Sequence, residues 1–224
     1  ILFRGKVVEV STFRSPSRRG GRDDDGDGEL QYGTPQEDAS RRDFTFNALY
    51  FDPRNESVID YVGGYEDIQN KRIVIIGDAD RSFREDPVRM LRAAKFSGLL
   101  GFELPPSLLK AIRRNKQEIL KANQSRLLEE YTKIFRTGQT TEVFHKLAET
   151  GLLRILFGDA YDAGDAGRQP FLESGIGKRL AIADRMLNER EDLTATIYMS
   201  LIMADLVSSI LDDRVKHNVI EHIK

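Results

Sequence analysis

The chain has no cysteine, no tryptophan and only three histidines. No apolar run in it approaches the ~20 residues that a membrane-spanning helix needs. Each absence removes a class of function. Without cysteine there are no disulfides, no thiolate metal sites and no cysteine nucleophile. That composition suits a reducing compartment, and a cytoplasmic location is expected. His145, His217 and His222 are scattered, and His145, on a helical stretch, reads as a packing or surface residue. No internal repeat is present. Gly63-Gly64 reads as a turn and not as a phosphate-cradling loop, because no Lys-Ser/Thr follows it. What remains is 224 residues, 40% hydrophobic and 31% charged, the composition of a folded globular protein. That length buries a sizeable core in one large domain or two small ones. The chain opens at Ile1 with neither methionine nor a signal-like stretch, so it is expected to be a piece of a longer polypeptide.

A net charge of −2 conceals a polarised chain. From Asp23 to Asp38 there are seven carboxylates and no Lys or Arg, whereas Arg81 to Arg136 holds 13 basic residues against 6 acidic ones. A basic segment of this kind is either a solvated helical surface or a track for a polyanion, and charge alone does not choose.

The pattern along the chain predicts an α+β fold. Lys6 to Phe13 reads as a strand, and Ser15 to Ser40, rich in Gly, Ser, Pro and Asp, as a mobile surface loop. Phe44 to Phe51 and Val58 to Tyr61 read as two extended or mixed segments joined by a turn, and Ile73 to Ile76 as a short buried strand. After Asp80 the pattern is helical. Asp86 is placed to cap a helix whose first turn holds Pro87, with Val88, Leu91, Ala94 and Leu99 on its apolar face. Further helices are expected from Pro105-Pro106 through Ile119, over Ser125 to Phe135, and over Glu142 to Leu153, stopping near Gly158. Asp159 to Gly167 reads as a small-residue linker. Phe171 to Lys224 returns to helix, with Ile197, Leu201, Ile202, Leu206 and Ile210 at helical spacing. The implied division is a mixed head over 1–80, a helical neck over 81–158 and a helical body over 159–224.

Several residues have two readings each. Asp86 and Arg89, three apart, are neighbours on a helix. Ordinarily they are a cap and an intrahelical ion pair, worth little when exposed. Functionally, an acceptor-only Asp beside a donor-only Arg matches the edges of adenine and cytosine, which present an amino donor next to a ring-nitrogen acceptor. Uracil and guanine present the reverse order. Glu85, Arg89, Arg92 and Phe96 follow one another along the same edge. In Arg41-Arg42-Asp43-Phe44-Thr45-Phe46-Asn47, Asp43 caps a turn and the arginines are surface residues, or the guanidinium forks take triphosphate oxygens. Glu9 is either a solvent-facing strand residue or one carboxylate of a Mg²⁺ site. Asp23-x-Asp25-x-Asp27-Gly28 begins like a calcium loop, but its twelfth position is Thr34 and no helix enters it, so calcium is set aside.

Order and spacing add what single motifs lack. Arg41-Arg42-Asp43-Phe44-Thr45-Phe46-Asn47-Ala48-Leu49, Asp60-Tyr61-Val62-Gly63-Gly64-Tyr65-Glu66-Asp67 and Arg84-Glu85-Asp86-Pro87-Val88-Arg89-Met90-Leu91-Arg92-Ala93 closely resemble the bacterial tRNA nucleotidyltransferase/poly(A) polymerase family, the class II group of polymerase-β-like nucleotidyltransferases. The resemblance covers roughly residues 5 to 157 and includes Arg126-Leu127-Leu128-Glu129-Glu130. It implies the C-terminal part of a nucleotidyltransferase palm, a small mixed or antiparallel sheet with helices, followed by an all-helical neck and body. It further implies use of Mg²⁺ and ATP to extend an RNA 3′ end, on mRNA or tRNA. By resemblance Glu9 matches a metal-site carboxylate with a catalytic role, and Arg41, Arg42, Asp43 and Asn47 match the motif that contacts ribose and phosphates. Glu85, Asp86 and Arg89, with Arg92 beside them, match the protein template that selects the incoming base. The basic neck and body would hold the RNA.

The family's Gly-Gly motif and Asp-x-Asp metal pair lie upstream of the Glu9 strand and have no counterpart here. The Asp23 to Asp27 cluster lies on the wrong side of that strand and does not substitute. The pair is therefore expected before Ile1, and this chain alone is expected to be inactive. Asp60 to Gly64, Asn47 to Tyr50 and the long Ser15 to Ser40 insertion lean toward poly(A) polymerase over a CCA-adding enzyme. A reading of another class is an RNA-binding protein that kept the neck and lost the metal site.

Overall fold

In the computed structural model, which describes residues 2–3, 5–7, 9–15, 32–189 and 193–222, the chain divides into two units, Ile1–Asp78 and Ala79–Lys224.

The first unit carries two separate two-stranded antiparallel sheets. Strands β1 (Leu2–Phe3) and β2 (Lys6–Val7) pair Leu2 with Val7 and Phe3 with Lys6. The strand expected over Lys6 to Phe13 is therefore short. Residues 9–13 take no regular structure, and Glu9 is exposed. The acidic Asp23 to Asp27 run lies outside the described residues. The expected loop ends early, because helix α1 (Pro35–Ser40) occupies its last six residues. Thr34 and Glu37 cap it reciprocally: the Thr34 hydroxyl accepts from the Glu37 N–H, and Glu37 accepts from the Thr34 N–H at 2.7 Å. Pro35 sits in the first turn, where its missing N–H costs nothing.

A short 3₁₀ turn (Thr45–Asn47) leads into β3 (Leu49–Asp52), which pairs with β4 (Ser57–Asp60) in the register Leu49↔Asp60 to Asp52↔Ser57. Helix α2 (Gly64–Gln69) follows. Its N-terminal amides are satisfied by Asp60, whose carboxylate accepts from the N–H groups of Val62, Gly63, Gly64 and Tyr65 at 2.9–3.1 Å. Burial opposes that charge, but the four donors outweigh it and lower the Asp60 pKa. Gly64 is required by packing, since a Cβ there would stand 2.1 Å from the Thr45 carbonyl oxygen. Ile73 to Ile76 is not a strand. Ile73 is fully buried, and the segment is tied by backbone to its neighbours, Thr45 N–H to the Val74 carbonyl and Ile76 N–H to the Asp43 carbonyl, each at 3.0 Å.

The second unit is helical. Helix α3 (Ala79–Glu85) precedes α4 (Val88–Leu100), then come α5 (Pro106–Asn115), a 3₁₀ turn over Lys116–Lys121, and α6 (Gln124–Phe135), which Asn123 caps. Helices α7 (Thr140–Thr150), α8 (Leu152–Ala163), α9 (Gly175–Asn188) and α10 (Ala195–His222) complete the described residues. The expected linker after Gly158 is helical as far as Ala163 and turns beyond it, and Gly158 is the one non-helical residue inside that helix. The single helical stretch expected from Phe171 is two helices after a 3₁₀ turn.

The core of this unit is apolar side chains at helical spacing: Leu91, Ile112, Ile134, Phe135, Phe144 and Leu147 are all at most 2% exposed. Phe135 stacks on Tyr198 at 5.0 Å between ring centroids. Helices α4 and α7 meet closely at Gly98, where a Cβ would lie 2.7 Å from the Val143 Cα. Helix α7 lacks a local cap, and α9 supplies one. Asp184 accepts from the backbone N–H of Thr140 (3.0 Å) and Thr141 (2.7 Å) and from the Tyr198 hydroxyl (3.2 Å). Burial and the Asp184 charge push the Tyr198 pKa up to about 12. Of the apolar stripe expected on α10, Ile202 is buried, whereas Ile197 and Ile210 are exposed. No helix among the described residues is long and apolar enough to cross a membrane.

Candidate nucleotide-binding residues

In the first unit the paired arginines are organised by a residue that sequence reasoning passed over. Asp38 is 2% exposed and lies in the last turns of α1. Arg42 donates to its Oδ2 from Nε at 3.1 Å and Nη2 at 2.9 Å, and the Tyr50 hydroxyl donates to the same oxygen at 2.9 Å. Arg41 donates to Oδ1 from Nε at 2.8 Å and also from Nη2, and the Arg14 N–H reaches Oδ1 at 3.3 Å. Burial opposes the Asp38 charge, yet Arg41, Tyr50, Arg14 and Arg42 together hold its carboxyl well below the usual carboxylate range. Arg42 also lies over the Tyr50 ring at 5.3 Å and donates to the Asn47 carbonyl at 3.0 Å.

One buried carboxylate thus fixes two guanidinium groups that remain 35% and 39% exposed and keep spare N–H donors. Guanidinium forks with free N–H groups are the chemistry that takes carboxylate or phosphate oxygens. Asp43 accepts from its neighbour's N–H, Phe44 N at 2.9 Å, and from the Asn47 side-chain amide at 3.2 Å, so these two form one turn with the arginines. The signal that would have found Asp38 was the Thr34-x-x-Glu37 capping box, which starts the six-residue helix directly before Arg41.

In the second unit the base-reading candidates sit where α3 gives way to α4. Glu85 is the last residue of α3 and Val88 the first of α4, so the expected continuous edge is broken at Asp86-Pro87. Glu85 pairs with Arg81 at 2.7 Å and not with Arg89. Asp86 Oδ1 accepts from the Val88 N–H at 3.2 Å, a capping bond to a helix that starts one residue later than expected. The Arg89 Nε stands 3.8 Å from Asp86 Oδ2, and Arg89 Nη1 donates to the Ser82 hydroxyl. Arg126, at the start of α6, donates from Nη1 to Asp86 Oδ1 at 3.0 Å and from Nη2 to Oδ2 at 2.7 Å. Arg92 donates to Glu130 at 3.2 Å and lies over the Phe96 ring at 5.2 Å. Glu130 is buried and also takes Lys95 and Lys133. Burial raises the Glu130 pKa, but Lys95 and Lys133 overcome it and the net shift is downward. Arg92 therefore belongs to an ion-pair network that fastens α4 to α6.

Among the described residues no group of three or more His, Cys, Asp or Glu could hold a metal ion. Glu9 is exposed and belongs to no such group among the described residues. A Mg²⁺ ion takes one or two carboxylates plus substrate phosphates in near-ideal octahedral geometry. Glu9 could supply one such carboxylate, and the described residues do not group two further ligands with it.

Two family models match the chain, the poly(A) polymerase head domain over residues 1–74 and the probable RNA and SrmB-binding site of polymerase A over residues 101–162. Poly(A) polymerase I of Salmonella typhi is 37% identical over 166 residues, covering 70% of this chain and 36% of that protein. The CCA-adding enzyme of Geobacillus stearothermophilus is 34% identical over 212 residues, covering 90% of this chain and 47% of that enzyme. The chain thus spans between a third and a half of the length of these relatives. Among solved structures, the Bacillus stearothermophilus CCA-adding enzyme in complex with CTP aligns with a TM-score of 0.58 and 33% identity, over 82% of this chain and 40% of that one.

Proposed function

From the membership of this chain in the bacterial tRNA nucleotidyltransferase/poly(A) polymerase family, we propose that it carries the nucleotide- and RNA-handling part of a template-independent RNA nucleotidyltransferase. The observation that carries the reading is the pairing at the α3–α4 junction. An acceptor carboxylate, Asp86, lies 3.8 Å from a donor guanidinium, Arg89, the complement of an adenine or cytosine edge. Arg41 and Arg42, fixed on Asp38, take the phosphates, and Asp43 and Asn47 shape the turn beside them. The basic helices of the neck hold the RNA end.

In this reading the incoming nucleotide is ATP, and AMP is added to RNA 3′ ends, on mRNA or tRNA, in the cytoplasm. The lean to poly(A) rests on Asp60-Tyr61-Val62-Gly63-Gly64 and Asn47-Ala48-Leu49-Tyr50. CCA addition to tRNA is the second reading, favoured by the length of the match to the Geobacillus enzyme. Asp86 and Arg89 fit A and C alike and do not separate the two. Mg²⁺ is the cofactor such chemistry implies, and Glu9 is the one matched carboxylate this chain offers it. The head, neck and body boundaries at residues 80 and 158 belong to the same proposal.

The test is product length. The native-length protein is given Mg²⁺, all four nucleoside triphosphates, and two RNAs: a tRNA lacking its last three nucleotides and an unstructured oligomer. Long adenosine tails on both establish poly(A) addition, and arrest after three additions on the tRNA alone establishes CCA addition. Extension of neither, with RNA still bound, moves the assignment to a non-catalytic RNA-binding protein.

A further inference from the structure

A carboxylate has about four acceptor directions, two on each oxygen. At Asp86 three are filled. The Val88 N–H and Arg126 Nη1 share Oδ1, and Arg126 Nη2 takes one side of Oδ2. The fourth, on Oδ2, is the oxygen that faces the Arg89 guanidinium at 3.8 Å. A base edge of the adenine or cytosine type needs one acceptor for its amino group and one donor for its ring nitrogen. It does not need a freely turning carboxylate with four acceptors, which could tilt or accept a water and pair with other edges.

We propose that Arg126 is a specificity-determining positioning residue. Its two-pronged grip fixes the plane of the Asp86 carboxylate and leaves a single acceptor beside Arg89. The inference rests on the base-reading role proposed above for Asp86 and Arg89. Arg126 itself contacts no base. It reaches Asp86 from 40 residues along the chain, and its side chain is 53% exposed while that of Asp86 is 17% exposed. Its stem therefore contributes little to the core, and its visible work is orientation. Two parallel N–H···O bonds confer geometric definition that a single ammonium does not. Lysine at this position would keep the charge and lose the orientation. Asn123 caps α6 just ahead of Arg126, with its side-chain oxygen accepting from the N–H groups of Ser125 at 2.9 Å and Arg126 at 3.3 Å. The base of the clamp is thereby fixed.

The experiment compares wild type, Asp86→Ala, Arg126→Ala, Arg126→Lys and the Asp86→Ala/Arg126→Ala double variant in the native-length protein. The readouts are kcat/KM for ATP and for GTP, equilibrium binding of both nucleotides, and thermal unfolding midpoints. Asp86→Ala should lower the ATP-to-GTP ratio by about tenfold or more, within what one bidentate base contact provides. Arg126→Ala and Arg126→Lys should each lower the same ratio by roughly five- to tenfold. The double variant should be no less selective than Asp86→Ala alone, because the clamp has nothing left to orient. If Asp86→Ala lowers the ratio and the Arg126 variants leave it at the wild-type value, or depress both nucleotides equally, Arg126 is only a surface tether between helices and the inference is overturned. If Asp86→Ala itself leaves the ratio unchanged in an active protein, the base-reading role falls first, and the clamp with it. Arg126→Lys keeps the question open to measurement should the alanine variant unfold.

Discussion

Asp38 and Arg42 are joined by two hydrogen bonds to a single carboxylate oxygen, with the Tyr50 hydroxyl as a third donor to the same atom. The arrangement makes a buried carboxylate the foundation for two half-exposed arginines, and under the proposed phosphate-binding role it separates two properties, charge and position. The arginines carry the charge, and Asp38 decides where that charge stands. Replacing Asp38 with Asn should leave Arg41 and Arg42 without their counter-charge and cost about 2 kcal/mol in urea unfolding, less than the ~3–5 kcal/mol for breaking a fully buried pair because both arginines are partly exposed. In the native-length protein, KM should rise for every nucleoside triphosphate alike, because the triphosphate is common to all. A change in base preference on Asp38→Asn would contradict this division of labour.

Lys95 and Glu130 form a buried ion pair within the helical unit, both side chains 6% exposed. Burial lowers the Lys95 pKa, and the net shift of Glu130 is also downward, set by Lys95 and Lys133 against burial. A carboxylate whose folded pKa lies below its unfolded value of about 4.3 adds stability that is present above that pH and is lost as pH falls through the folded value. Glu130→Gln should therefore destabilise the protein by about 3 kcal/mol at pH 7 and flatten the acid limb of its stability profile. The Lys95→Met/Glu130→Leu pair should recover most of that loss, since apolar replacements of similar volume remove the cost of desolvating both charges. Chemical denaturation from pH 3 to pH 8 distinguishes the three proteins.

How much of this was legible beforehand depended on distance along the chain. Local periodicity carried α4, because Val88, Leu91 and Ala94 recur at helical spacing and are buried as that repeat requires. The apolar run Ile73 to Ile76 misled, because a buried segment and a strand look the same when the partner is out of view. Its backbone partners are single residues near Asp43 and Thr45. Helix α1 was too short for periodicity to detect, and only its capping box announced it. The candidate site residues were found by motif, but their pairing was not. Asp38 to Tyr50 and Asp86 to Arg126 are tertiary contacts between residues whose spacing carries no pattern. The continuous edge drawn through Glu85 and Arg89 failed for a local reason, since Pro87 ends one helix and opens the next.

At Gly98 the α4 backbone lies against that of α7, and a Cβ has no room there. Gly98→Val would drive its Cβ to within 2.7 Å of the Val143 Cα, which demands separation of the two helix backbones. The change should cost more than the ~1–3 kcal/mol typical of an overpacked core, because main chain must move and not a side-chain end. Gly98→Ala, with the smallest possible side chain, should already be destabilising despite alanine's better helix propensity. If Gly98→Ala were stabilising, the close approach of these helices would be wrong. Thermal unfolding of both variants decides it.

Ion pairs absorb much of the basic surplus between Arg81 and Arg136. Arg81, Arg92, Lys95, Arg114, Lys121, Arg126 and Lys133 each face a carboxylate. Lys110 on α5 and Arg136 at the end of α6 are exposed and form no ion pair among the described residues. If the helical unit binds RNA, such uncompensated cations release counterions from the phosphates, whereas the paired ones are already neutralised. RNA affinity should therefore fall steeply with salt, with a slope of about 0.7 per phosphate contacted on a single strand. Lys110→Gln and Arg136→Gln should each weaken binding to every RNA sequence alike and make the slope shallower by roughly one contact. Lys121→Gln, which removes a cation already paired with Glu118 at 2.7 Å, should change the slope less. Fluorescence anisotropy across a salt series measures all four proteins. A slope near zero in wild type would mean that the charge on these helices serves the fold and not a polyanion.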